Sequence, residues 1–292
     1  MLISRKAGDE LALQKQKAMK TIIVPTDFSA VSNNAMSYAF GLAKETGSSI
    51  LLFHAYQVPV SMTDVPIVLI SVEDLQKNAD NKMNDLKRTL EIEKAGAVKI
   101  YAETRLGDTV DELENICKNT HPFAVVMGTK GESGIERVFF GSTTLTAIKH
   151  LSCPVIVVPP GKKYSSIKKI GFACDFRQVV DTTPTRFIKD FVKEFNAELH
   201  VLNVDFRNSR SNAETPEQSL LLHTMLEDLN PKYEFIEDEN IEAGIEKFAQ
   251  VNNLDLVITI PKKHKLLEGL FRKSHTRELL FHSHLPIMCV HE

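Results

Sequence analysis

The sequence has no run of about 18 apolar residues, the length a membrane-spanning helix needs, so no span is expected. It has no excess of positive charge either. A formal net charge of −3 gives no general field that would draw nucleic acid, and DNA or RNA is not an expected partner. Cysteine is sparse: Cys117, Cys153, Cys174 and Cys289 lie far apart in apolar surroundings. That pattern points to free buried thiols in a reducing compartment rather than to a disulfide framework or a zinc site. The stretch from Met1 to Ala18 carries Arg5, Lys6, Asp9, Glu10, Lys15 and Lys17 and lacks the apolar centre of a secretory signal. A cytoplasmic location is the expectation, with residues 1–19 a frayed or disordered polar tail whose origin, native, vector-derived or misassigned, stays open.

Over 292 residues, 43% hydrophobic and 25% charged content is that of an ordinary globular protein with room for two cores. Short β-branched runs alternate with helical patterns. Lys20-Thr-Ile-Ile-Val-Pro25 reads as a strand, and Thr26-Asp27-Phe28-Ser29 ends it with cap-forming side chains. Ala35, Tyr38, Ala39, Leu42 and Ala43 recur at helical spacing, predicting a helix from near Ser29 to Gly47. A strand follows over Ser49 to Ala55, then a charged helix over Val72 to Lys94 and a strand over Val98 to Ala102. Asp108 caps the next helix, which carries Val110, Leu113, Ile116 and Cys117. The strands Phe123 to Met127 and Pro154 to Val158, with a helix between them, complete the set. Alternation of this kind implies a parallel sheet with right-handed crossovers.

The pattern then starts again. Lys169-Ile-Gly-Phe-Ala-Cys-Asp175 echoes Lys20 to Asp27, and Glu198 to Val204 echoes the second strand. Leu254 to Thr259 echoes Phe123 to Met127, and Leu285-Pro-Ile-Met-Cys-Val290 echoes Cys153 to Val158. The chain reads as an internal duplication: a tail over 1–19, one α/β domain over 20–160, a linker over 161–168 and a second domain over 169–292.

Chemistry concentrates in Gly128-Thr-Lys-Gly131-Glu-Ser-Gly-Ile-Glu-Arg-Val-Phe-Phe-Gly141-Ser142-Thr143-Thr144, a glycine-rich loop joining a strand to a helix. Gly128 and Gly131 can take positive φ and let backbone N–H groups approach a ligand, and Gly141-Ser142 sits where a helix N-terminus offers unpaired donors to phosphate.

This motif, the Pro25-Thr-Asp-Phe-Ser29 opening and the Cys153-Pro-Val-Ile-Val-Val158 ending together resemble the universal stress protein family in its tandem two-domain form. Its nucleotide-binding members carry a glycine, two residues, a glycine, nine residues, then Gly-Ser or Gly-Thr, and Gly128, Gly131, Gly141 and Ser142 match that spacing. The resemblance implies two doubly wound five-stranded parallel-sheet domains, Rossmann-like and similar to adenine nucleotide alpha hydrolases, with strand order 3-2-1-4-5. Ligands of such sheets bind where strand order reverses, here between the strands ending at Asp27 and Gly128. It further implies ATP there, with Asp27 at the base-ribose end, Ala55 and Met127 along the adenine, and Gly128, Gly131, Gly141, Ser142 and Thr143 around the phosphates. Lys130 and Arg137 are further phosphate partners by charge. Magnesium bridging phosphate oxygens is compatible with the loop, with no protein carboxylate placed as an obvious ligand. Self-association through the last strands, Val155 to Val158 and Ile287 to Val290, is also implied, within the chain or between chains.

The second copy departs from this pattern. Counting back from Leu285-Pro286, Ile260 and Lys263 stand where Gly128 and Gly131 stand, and Lys273-Ser274-His275 replaces Gly141-Ser142-Thr143. Asp175 is kept. Architecture, rather than nucleotide binding, is the expected role of this half. His275, His282 and His284 gain no carboxylate or thiol partner that would make a metal set. No catalytic residue is assigned, since neither a nucleophile–base pair nor a carboxylate dyad accompanies the loop. A nucleotide-binding regulatory protein is the main reading; a non-binding interaction scaffold and a slow ATPase stay open beside it.

Overall fold

The computed structural model describes residues 20–58, 71–129, 141–205, 215–261, 279 and 283–291. The expected tail over 1–19, Lys130, Gly131 and Arg137 of the glycine loop, and Lys263, Lys273, Ser274, His275 and His282 of the second copy lie outside the described residues. The first five strands are β1 (Thr21–Pro25), β2 (Ser49–Tyr56), β3 (Ile100–Leu106), β4 (Ala124–Gly128) and β5 (Val155–Val158). They alternate with α1 (Ala30–Thr46), α2 (Val72–Glu93), α3 (Thr109–Thr120) and α4 (Ser142–His150). The second five are β6 (Lys169–Ala173), β7 (Glu198–Val204), β8 (Lys232–Ile236), β9 (Leu256–Thr259) and β10 (Ile287–Cys289). Between them lie α5 (Val179–Thr182), α6 (Thr185–Phe195), α7 (Thr215–Leu226) and α8 (Ile241–Asn252).

All ten strands form one sheet, in the order β3-β2-β1-β4-β5-β10-β9-β6-β7-β8. Each half has the expected order, and pairing is parallel everywhere except at the joint, where β5 and β10 run antiparallel with Met288 opposite Ile156. The last strands therefore associate within the chain. With β4 and β9 on their other sides, neither offers a free edge to a second chain while this pairing holds.

Period-two alternation sorts the strand side chains onto two faces. Ile22, Val24, Leu52 and Val126 pack with α1 and, across the joint, with the layer containing Phe172, Phe191 and Leu222. Ile23, Phe53, Val125 and Val157 pack on the other face with Leu113, Ala147 and, beyond the joint, Ile245. The halves share further contacts: Lys20 pairs with Glu194 at 2.5 Å, and the Phe123 and Phe191 rings stack at 5.6 Å. Residues 159–168 return over α1, where the Tyr164 hydroxyl donates to Glu45 Oε2 at 2.8 Å and its ring meets Tyr38 edge-on.

Cys117 and Cys153 depart from the expectation of free thiols: they are joined as a disulfide with a Cα–Cα distance of 5.9 Å. They are 36 residues apart in sequence, and the α3–β4–α4–β5 topology brings them together. In the chain-entropy picture, closing a loop of that length stabilises the fold by about 4 kcal/mol. Cys174 and Cys289 form no disulfide.

Gly41 is where the linker packs closest, since a Cβ there would meet Tyr164 Cβ at 2.5 Å. Gly41→Ala should therefore destabilise the protein by roughly 1–3 kcal/mol in urea unfolding. Adding Tyr164→Ala should cost less than it does alone, because the two substitutions act on one contact.

Candidate functional site

Strand order reverses between β1 and β4, and their carboxyl ends open a crevice flanked by α1 on one side and the start of α4 on the other. At the end of β1 the chain makes a turn with Phe28 at φ 64°, a left-handed conformation costly for an aromatic residue. Side chains hold it there. Thr26 Oγ1 accepts the Phe28 N–H at 3.0 Å, Asp27 Oδ1 accepts the Ser29 N–H at 3.0 Å, and the Phe28 ring lies against His54 at 4.7 Å. His54 Nδ1 lies 2.8 Å from the Thr26 carbonyl oxygen, which can only accept, so that ring nitrogen donates. Ser29 then caps α1 by accepting the Ser32 N–H at 3.2 Å.

Asp27 is exposed beside the crevice. Partial burial pushes its carboxyl up, but hydrogen bonds from the Ser29 hydroxyl and N–H and from the Ser32 hydroxyl outweigh it, leaving the group below the usual carboxylate value and anionic at neutral pH.

Gly128 ends β4, and its backbone does not take the left-handed conformation open to glycine. Among the described residues the glycines at positive φ are Gly47, Gly96, Gly107 and Gly161, not Gly128. A Cβ at Gly128 would instead meet Val31 Cγ1 at 2.6 Å and the Val31 carbonyl oxygen at 2.8 Å, so this glycine lets the strand end lie against the first turn of α1. Its own carbonyl accepts a hydrogen bond from Thr144 Oγ1 at 3.1 Å, tying β4 to α4. Gly141 is the N-cap of α4 with φ −61° and ψ 139° and gives no side-chain cap. Ser142 and Thr143, both exposed, form the first turn. Met127 is buried among Val110, Leu113 and Phe53, so only its backbone reaches the strand end, while Ala55 packs partly buried on that same face. Gly131 lies outside the described residues.

Two residues not singled out from the sequence also belong here. Thr144 supplies the tie just described. Thr129 is 2% exposed, and its buried hydroxyl has no hydrogen-bond partner among the described residues. Both sit inside the motif, where a glycine spacing rule is blind to hydroxyls.

The second half repeats the turn but not the glycine at the strand end. Phe176 has φ 50°, its N–H reaches Cys174 Sγ at 3.4 Å, and Asp175 Oδ1 accepts the Arg177 N–H at 3.2 Å. Asn203 Nδ2 donates to the Cys174 carbonyl at 2.9 Å, the bond that His54 makes in the first half. Strand register places Leu256 beside Ile170 as Ala124 is beside Ile22, which puts Ile260 at the Gly128 position. An isoleucine cannot leave the gap that admits Val31. In place of one capped helix, the chain has the four-residue α5, a break at Thr183-Pro184, and α6.

The fold defines a class, the duplicated doubly wound α/β protein, here with a helix N-terminus at the switch point of its first half. The universal stress protein family matches residues 19–159. Universal stress protein MJ0531 of Methanocaldococcus jannaschii is 32% identical over 149 residues, which are 49% of this chain and 84% of that protein. Universal stress protein MJ0577 of the same organism is 25% identical over 153 residues, 48% of this chain and 94% of that protein. The chain belongs to the universal stress protein family. A solved universal stress protein from Archaeoglobus fulgidus DSM 4304 has a TM-score of 0.73 at 17% identity, covering 93% of this chain and 98% of its own, a likeness of fold that spans both halves.

Two expectations follow from this geometry. Gly128→Ala should cost roughly 1–3 kcal/mol of stability with no ligand present, because backbone and not a mobile side chain stands in the way; chemical unfolding checks it. The depressed carboxyl pKa of Asp27 contributes stability that is present above the unfolded-state value of about 3.9 and is lost as pH falls through the lower folded-state value. The stability difference between the protein and Asp27→Asn should therefore shrink below about pH 4 in acid unfolding, and a difference constant with pH would contradict this.

Proposed function

We propose that the first half binds ATP between the ends of β1 and β4 and that the second half serves architecture. The observation that carries this reading is Gly141. Its φ is one any residue adopts, and among the described residues nothing lies within 4 Å of where its Cβ would be. Neither packing nor backbone conformation asks for glycine. Serine, asparagine or aspartate would cap α4 better, and an acidic residue would also meet the helix dipole. A glycine at this helix start is what a phosphate in contact with the backbone requires.

Asp27 would stand at the base-ribose end, Ala55 and the Met127 backbone along the adenine, and Gly128, Gly131, Gly141, Ser142 and Thr143 around the phosphates. The buried Thr129 hydroxyl is a further polar group at the strand end. Magnesium, if carried, would come on the phosphate oxygens: no group of three His, Cys, Asp or Glu among the described residues is placed to hold a metal ion. ATP binding to the folded form alone would raise stability by mass action, which suits a regulatory protein. On this reading 20–160 is the binding domain, 161–168 the linker and 169–292 its structural partner. A scaffold without ligand is the second reading, favoured by the Asp175 turn, which shows that the Asp27 turn stands without a glycine loop.

Gly141→Asp separates the two. It should stabilise the ligand-free protein by roughly 0.5–1 kcal/mol and weaken ATP binding at least tenfold in calorimetric titration. No ATP binding by the unaltered protein would end the nucleotide reading, and equal affinity in the variant would remove α4 from the site.

A further inference from the structure

The Cys117–Cys153 pair is present in one half only, and the second half shows what the same corner looks like without sulfur. Strand and helix register place Ala249 at the Cys117 position and Leu285 at the Cys153 position, both buried as the cysteines are. Among the described residues the two halves share one clamp. Glu114 Oε2 accepts the Ser152 N–H at 2.7 Å, and Glu246 Oε1 accepts the His284 N–H at 3.3 Å, so in each half a carboxylate on a helix holds the segment leading into the last strand. Apolar packing and this clamp suffice to build the corner; the cysteines add something to it.

What they add concerns α4. Cys117 lies in the last turns of α3, and Cys153 lies between the end of α4 at His150 and the start of β5 at Val155. Ile116, Cys117, Ala147, Ile148, Leu151 and Cys153 belong to one buried layer. A covalent link there holds the C-terminal end of α4 against α3, and α4 is the helix whose other end faces the crevice.

We propose that Cys117 and Cys153 form a reversible disulfide that, when closed, fixes α4 against α3 and so sets how firmly the α4 N-terminus holds a phosphate-bearing ligand. The coupling to ligand rests on the nucleotide reading above; the reversible link does not. Closure is thiol–disulfide exchange with a low-molecular-weight disulfide such as glutathione disulfide. The thiolate of Cys153, 7% exposed against 1% for Cys117, attacks it and expels one glutathione thiolate. The Cys117 thiolate then displaces the second, so that two thiols lose two protons and two electrons and two glutathione molecules leave. An excess of a dithiol such as dithiothreitol reverses the exchange.

The full chain is equilibrated with glutathione disulfide or with dithiothreitol, cleared of reagent and denatured, and its thiols are titrated. Two thiols, those of Cys174 and Cys289, are expected in the first case and four in the second. Four thiols in both cases would overturn the proposal. The reduced form should melt roughly 5–10 °C lower and bind ATP about fivefold more weakly. Cys117→Ala with Cys153→Leu, the pair the second half already uses, should fold and show no response of ATP affinity to dithiothreitol. Equal ATP affinity of the two redox forms of the unaltered protein would overturn the coupling. If neither form binds ATP, the nucleotide reading fails and the coupling is read from amide hydrogen exchange over residues 142–150. Faster exchange in the reduced form supports it, and unchanged exchange overturns it.

Discussion

The antiparallel pairing of β5 with β10 is the constraint on which the rest of this structure depends. A doubly wound half ends on an exposed strand whose backbone groups need partners and whose apolar face needs cover. Joining the two last strands meets both needs at once, leaving β3 and β8 as the outer edges of a ten-stranded sheet. Core layers then run through the joint, with Ile156 and Met288 fully buried at its centre. Lys20 with Glu194 and Phe123 with Phe191 carry further contacts between the halves, which support each other and do not merely share a chain.

Much of the fold was legible because local and global signals agree. Ser29 and Asp108 cap their helices as their position before an apolar-periodic run implies, and β7 spans Glu198 to Val204 as its composition indicates. Features that depend on distant partners were not legible. Nothing in the spacing of Cys117 and Cys153 shows that the intervening β4 and α4 fold them together, and nothing in the last strands decides between a partner in the same chain and one in another. The break between α5 and α6 accompanies an isoleucine at 260, distant in sequence, that packs against the same core layer as Val179 and Ile188.

The candidate site was legible as a spacing, and the structure divides that spacing into parts with different physical reasons. Gly128 answers to Val31 and therefore to the packing of α1; Gly141 answers to nothing in the described protein. The Asp27 turn belongs to the architecture, as its copy at Asp175 shows, and its carboxylate is exposed at the end of β1 all the same. Residue type alone could not separate these roles, because glycine serves a close approach of backbone to backbone and of backbone to ligand in the same way.

Ile260 has a consequence for the form of any response. With a branched side chain at the position of Gly128, the second half lacks the strand-end glycine of the proposed nucleotide site, and on that proposal a single molecule would take up one equivalent and saturate along a simple hyperbola. Two fused halves with two such sites could have made the first ligand help or hinder the second. On the same proposal, steepness would have to arise from contacts between molecules.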